Sequence, residues 1–166
     1  MSDRKHSGDS VLTDEKIAVN KVPLQTYTKK VRLTGQKVDL VRSTMEQLTP
    51  LYEQIMSSGV LDNLTIEIEQ LDDFRRYLLF VQNQWTLNAD FTYTIIEKAS
   101  NRPVGQTSLY NLSFRHQRAE VGIWVGSSYW RHGLGSETLS LLCDYAFEGL
   151  HINRLEAHIF LTNTAS

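Results

Sequence analysis

The chain has 166 residues, 41% of them hydrophobic, and a formal net charge of −2 from 17 Lys and Arg against 19 Asp and Glu. That length supports one domain with a real core and leaves little room for two. Cations are scattered rather than gathered into a stripe, which argues against a nucleic-acid partner, and no apolar run is long enough to cross a bilayer.

The first thirty residues are polar and lack a clear period. They read as a flexible or loosely docked extension (1–30) ahead of a folded part (31–166). The opening MSDRKHSGDSVLTDEK has charges with no apolar stretch behind them, unlike a secretory leader. The single cysteine, Cys143, excludes an internal disulfide framework, so the expected location is the cytoplasm.

From Val31 the pattern becomes regular. KVDLVR alternates as a strand with Val38 and Leu40 on one face. Ser43 followed by Glu46 reads as a capping box opening a helix through Leu48, Leu51, Tyr52 and Ile55, in which Pro50 fits only within a first turn. Gly59 stops that helix. A second helix runs from about Leu71 to Trp85, with Phe74, Tyr77, Leu78, Val81 and Trp85 on one face. The period then changes to two. FTYTIIEK (91–98) and VGQTSLYNLS (104–113) are strands of a hairpin joined by a turn at 101–105, where Pro103 and Gly105 supply the turn chemistry. FRHQ is a polar turn into RAEVGIWV (118–125), which places Ala119, Val121, Ile123 and Val125 on one face and Glu120, Gly122 and Trp124 on the other. A last helix puts Leu139, Leu142, Cys143, Ala146 and Leu150 on its apolar stripe, with Gly149 as C-cap. RLEAHIFL (154–161) is the closing strand. The order predicts an α/β fold with a mixed sheet ending in a right-handed parallel crossover.

Between that third strand and the last helix lies SSYWRHGLGSETL. Gly133 and Gly135 let backbone approach a ligand closely, and the first N–H groups of a helix are unpaired and sit at its positive end. Arg131 and His132 add donors, so the loop suits a phosphate or diphosphate; the same spacing also describes an ordinary helix start. A P-loop would need Gly-Lys-Ser/Thr, which is absent. A dinucleotide fingerprint would place a third glycine where Thr138 stands. Coenzyme A is the third candidate. The histidines show no HExxH spacing and no Cys/His cluster, and no metal is expected. Cys143 reads as a small core residue and Ser136 as a helix-start residue rather than nucleophiles.

The stretches AEVGIWV, YWRHGLGSETL, LLCDYAF and HIFLTNTAS, in that order, resemble the GNAT superfamily of acyl-CoA N-acyltransferases, above all its ribosomal-protein alanine and polyamine acetyltransferase branch. VRLTGQKVDL is similar to the family's opening strand, so the resemblance runs from about residue 31 to the end. It implies that the strand before the loop splays from its parallel neighbour and admits acetyl-CoA as co-substrate. Backbone groups of Ile123, Trp124 and Val125 would then pair with the pantetheine arm. The N–H groups of Arg131, His132, Gly133, Leu134, Gly135 and Ser136 would hold the diphosphate, and Asn163, with Ser166 nearby, would touch the cofactor. The acceptor would be a primary amine: a protein N-terminus, a polyamine, an amino acid or an antibiotic. Glu120 is either its proton acceptor or a solvated strand carboxylate. Two departures stand out. Trp130 occupies the position where the family's loop opens with Gln or Arg, a substitution common in this branch. The sequence also stops at Ser166, where the family pattern continues with a helix and a strand. The expectation is therefore a C-terminally incomplete domain that is either an acetyltransferase of reduced turnover or a non-catalytic coenzyme A-binding or interaction module. The exposed last strand would favour a homo-oligomer.

Overall fold

The computed structural model describes residues 27–158. Six strands form one sheet in chain order: β1 (Arg32–Thr34), β2 (Val38–Arg42), β3 (Phe91–Glu97), β4 (Arg102–Ser113), β5 (Arg118–Val125) and β6 (Arg154–Glu156). All neighbours are antiparallel except β5 and β6, which pair in parallel. Helix α3 (Leu134–Asp144) connects those two, so the expected strand–loop–helix–strand unit is present. With the turn that follows it, it covers one face of the sheet, packing Leu134, Leu142 and Ala146 with Val38, Leu40 and Ile95. Helices α1 (Leu48–Ile55) and α2 (Leu71–Thr86) enclose a second core on the other face, built around Leu51, Ile55, Phe74 and Leu78. The alternation read in β5 follows this division: Val121, Ile123 and Val125 pack toward the α3 side, and Trp124 belongs to the α1–α2 core. Among the described residues, no helix is long and apolar enough to cross a membrane.

Several boundaries differ from expectation, each for a physical reason. Ser43 does not cap the first helix. Its side chain is buried, with Oγ 2.9 Å from Thr94 Oγ1, and Thr44 is the cap instead. Gln47 Oε1 accepts the Thr44 N–H at 2.8 Å, one residue later than the Ser43–Glu46 reading. A 3-10 turn, Met45–Gln47, precedes α1, which leaves Pro50 in the helix's first turn, where its missing N–H costs nothing. The β3–β4 turn falls at 98–101 rather than 101–105, and Asn101 supplies the left-handed φ of 55°. Pro103 and Gly105 are strand residues. Gly105 is required by close approach, since a Cβ there would overlap the Trp124 carbonyl oxygen. After α3 the chain takes a π-helical turn at Tyr145–Gly149, and the left-handed residue is His151 (φ 55°), not Gly149. The buried stripe of this helix and turn includes Thr138 and Tyr145 in place of Leu139 and Cys143.

Tyr27 stacks on Phe114 with ring centroids 4.2 Å apart, and the Lys30 N–H donates to Tyr145 Oη at 3.0 Å, so the described end of the expected extension packs on the fold. Residues 1–26 lie outside the described residues, as do Asn163, Ser166 and the outer part of the expected last strand.

Candidate active site

β5 pairs with β4 from Arg118 opposite Ser113 to Val125 opposite Gly105, with a register shift between Tyr110 and Ser113. Its pairing with β6 covers only Arg118, Ala119 and Glu120, and β6 ends at Glu156. From Val121 onward that side of β5 has no strand partner among the described residues. The Val125 carbonyl accepts the Trp130 indole N–H at 2.7 Å.

The loop beyond β5 is anchored at its base. The Gly126 N–H donates to the Val104 carbonyl at 2.8 Å and the Ser127 N–H to Ser57 Oγ at 3.0 Å. Trp130 lies over Gly59, where a Cβ would come within 3.2 Å of the indole. Arg131 (φ 63°) and Gly133 (φ 78°) both adopt left-handed backbone. That is strained for arginine and natural for glycine, and it turns the chain sharply into α3. The first hydrogen bond at the helix start runs from the Glu137 N–H to the Gly133 carbonyl, so the N–H groups of Leu134, Gly135 and Ser136 precede it. Arg131, His132, Gly133 and Ser136 are exposed, and a Cβ on Gly135 would meet only Ile123 Cδ1, at 3.9 Å. Thr138, in the position of the missing third glycine, is fully buried.

Two residues at this turn were not legible in the sequence. Lys37 Nζ reaches the His132 carbonyl at 3.2 Å and brings a cation to the loop. Glu137 holds it there by accepting the N–H groups of Gln36, Lys37 and Val38 at 3.0, 2.7 and 2.8 Å. Burial opposes ionisation of Glu137, but those three amides and Lys37 hold its carboxyl below the usual range.

On the α1–α2 face a cavity of about 450 Å³ runs beneath the segment Asn63–Ile66 and against α2, along the facing rows of β4 and β5. Its floor includes Gln106, Ser108 and Tyr110, which stand opposite Trp124, Gly122 and Glu120. A directed chain of hydrogen bonds fixes Gln106: its Nε2 donates to Ser43 Oγ (3.0 Å), Ser43 to Thr94 Oγ1 (2.9 Å), and Thr94 to Gln47 Oε1 (3.2 Å). Gln106 Oε1 and Trp124 Nε1 are buried and have no partner among the described residues, an uncommon state for polar atoms. At the other end, Asp90 Oδ1 accepts the Asn111 N–H at 3.0 Å. Burial pushes the Asp90 carboxyl up, against the pull of that amide. Burial, with Asp90 nearby, pushes the Tyr77 phenol up to about 12.

Glu120 stands just outside this cavity. Its Oε1 accepts Asn111 Nδ2 at 2.9 Å, and its Oε2 lies 3.3 Å from Nε2 of His158, which lines the cavity. The Asn111 amide, then Tyr110 and the nearby His158 and Arg118, hold the Glu120 carboxyl below its ordinary value. It is therefore ionised at neutral pH and well placed to orient an imidazole.

A left-handed turn at a helix start and a cavity on the α1–α2 face thus meet at β5. The acetyltransferase (GNAT) domain family matches residues 44–166. The chain belongs to the GNAT acetyltransferase family. Its fold matches a Vibrio cholerae structure provisionally assigned as a ribosomal-protein-serine acetyltransferase, with TM-score 0.75 and 21% identity over 84% of this chain and 79% of that one. It also matches the ribosomal L7/L12 α-N-protein acetyltransferase RimL in complex with coenzyme A, with TM-score 0.72 and 17% identity over 81% and 77% of the two chains. Among curated proteins, the N-acetyltransferase p20 of Bacillus licheniformis, itself uncharacterized, is 34% identical over 74 residues, 45% of this chain. The matched region spans 42% of that relative's length. The mixed six-stranded sheet with three helices is thus the acyl-CoA N-acyltransferase fold expected from the sequence.

Proposed function

We propose that this chain transfers an acetyl group from acetyl-CoA to a primary amine. The observation that carries the reading is the left-handed turn at Arg131–Gly133, which follows β5 and leads directly into α3. The residues present suit the co-substrate. Gly133 supplies the turn, a Cβ at Gly135 would meet only Ile123 Cδ1, and the N–H groups of Leu134, Gly135 and Ser136 precede the first helical hydrogen bond. The N–H groups from Arg131 to Ser136 would hold the diphosphate at the positive helix end, and backbone groups of Ile123, Trp124 and Val125 would pair with the pantetheine arm as an added strand.

Acetyl-CoA supplies an activated acyl carbon. The amine nitrogen forms a bond to that carbon, the carbon–sulfur bond breaks with its electron pair leaving on sulfur, and the thiolate takes up a proton. A protonated amine cannot attack, so a base must first remove a proton. His158 faces the cavity and Glu120 holds its Nε2. The pair receives that proton, with Glu120 stabilising the imidazolium that forms.

Calorimetric titration with acetyl-CoA, followed by thiol release in the presence of an amine panel, tests the reading. Binding with amine-dependent thiol release supports transfer. Binding with no turnover for any amine identifies a non-catalytic coenzyme A module instead. No heat and no thermal shift in the wild type, with the same result for Arg131→Glu, removes both.

A further inference from the structure

The turn before α3 receives a cation from a distant part of the chain. Lys37 lies between β1 and β2, 95 residues before His132, and its Nζ donates to the His132 carbonyl at 3.2 Å. The same Nζ would stand 3.0 Å from a Cβ on Gly133, so the ammonium sits against the left-handed turn itself. An ammonium carries three donors, and one of them is engaged by a protein acceptor among the described residues.

Its charge is uncommitted as well. Among the described residues no carboxylate lies within ion-pair distance of Lys37. Glu137 is the natural partner, since its Oε2 accepts the Lys37 backbone N–H at 2.7 Å. Both Glu137 oxygens are nevertheless occupied by backbone: Oε1 accepts the Gln36 N–H, and Oε2 also accepts that of Val38. With its carboxylate solvated by amides, Glu137 leaves the Lys37 ammonium to extend past it to the His132 carbonyl. The same three amides fix the hairpin that carries Lys37, so an exposed side chain projects from an anchored backbone. A second ammonium braces this hairpin, with Lys98 Nζ donating to the Gly35 carbonyl at 2.9 Å. The turn thus gathers Lys37 and the exposed Arg131 on a chain whose formal net charge is −2.

Building on the acetyl-CoA reading, we propose that Lys37 is a further co-substrate-binding residue, whose ammonium keeps the His132 carbonyl and donates a second N–H to the diphosphate at Arg131–Ser136. Its place against Gly133, beside the amides that lead α3, assigns it the diphosphate rather than the 3′-phosphate of the same nucleotide. The cation draws an anionic nucleotide to an acidic chain, and its bond to His132 supports the left-handed turn before the ligand arrives.

The test is calorimetric titration of the full chain with acetyl-CoA and with 3′-dephospho-acetyl-CoA, for the wild type, Lys37→Met and Lys37→Arg. Lys37 is exposed and Glu137 holds only its backbone N–H, so the ligand-free Tm of Lys37→Met should stay within about 2 °C of the wild type. Lys37→Met should raise the Kd of both ligands about fivefold, as expected for one exposed charge-assisted contact. Lys37→Arg, which keeps the charge, should stay within about twofold of the wild type. Added salt should weaken binding more steeply in the wild type than in Lys37→Met. A wild-type Kd in Lys37→Met, an equal loss in Lys37→Arg, a loss confined to the ligand bearing the 3′-phosphate, or a loss that comes with a lowered Tm overturns the assignment of Lys37 while leaving acetyl transfer standing. Failure of the wild type to bind acetyl-CoA overturns both.

Discussion

Replacing Gly135 with alanine should separate two properties that usually fall together. Gly135 is the second residue of α3, and its φ is not in the left-handed region. A Cβ there meets only Ile123 Cδ1 at 3.9 Å, an ordinary van der Waals contact. Alanine in a helix is favoured over glycine by about 1 kcal/mol, and somewhat less in a first turn. A gain of ~0.5–1 kcal/mol corresponds to a Tm increase of about 1–4 °C for a chain of this size. The methyl group, however, projects into the open space beside the unpaired amides. If the diphosphate lies there, its approach is blocked and acetyl-CoA Kd should rise at least about tenfold, equivalent to ~1.4 kcal/mol. Differential scanning fluorimetry without ligand and calorimetric titration with acetyl-CoA measure the two effects. A variant that is more stable yet binds acetyl-CoA as the wild type does would show that no ligand approaches Gly135, and the placement of the diphosphate at this turn would be refuted.

Gly133→Ala should behave oppositely without ligand, losing ~1 kcal/mol because alanine is strained at φ 78°. A Tm lower by about 2–4 °C is expected, and an unchanged Tm contradicts the left-handed assignment. Gly105→Ala places a Cβ on the Trp124 carbonyl; β4 and β5 must separate, and a loss of at least ~2 kcal/mol should appear as a denaturation midpoint shifted well below wild type. Glu120→Gln should lower kcat on the order of 100-fold with acetyl-CoA Kd unchanged, since it leaves the loop intact; an equal loss of cofactor affinity would assign it a structural role. Glu137→Gln should cost ~1–2 kcal/mol, allowing for its partial exposure. Because the folded-state pKa of Glu137 is depressed, its contribution is present above the unfolded carboxyl value and fades as pH falls through the lower folded value. Urea midpoints taken from pH 7 to pH 3 should therefore fall less steeply in the variant than in the wild type.

The elements that bury one face were readable in advance because burial imposes a period. Phe74, Leu78, Val81 and Trp85 repeat at helical spacing and are buried on α2, and β5 alternates between two cores. Turn chemistry was less reliable. Pro103 and Gly105 read as a turn, yet Gly105 is small because β5 backbone passes it, a constraint visible only once strand register is known. The loop at Arg131–Ser136 was legible because its chemistry is local. The cavity was not, since Asp90, Gln106 and His158 come from β3's entry, mid-β4 and beyond β6. Gln106 in particular sits in a strand whose polar residues would ordinarily face water, and here they face α2.

The three amides that Glu137 receives from Gln36–Val38 splice the helix behind the Arg131–Gly133 turn to the earliest hairpin of the sheet. Unzipping that hairpin from its upstream side would expose Leu33 and unmoor the turn before the central strands open. Amide exchange at Leu134–Ser136 should accordingly keep pace with exchange at β1 rather than with the slow central strands, and fusions made upstream of Arg32 should be felt at the far side of the sheet.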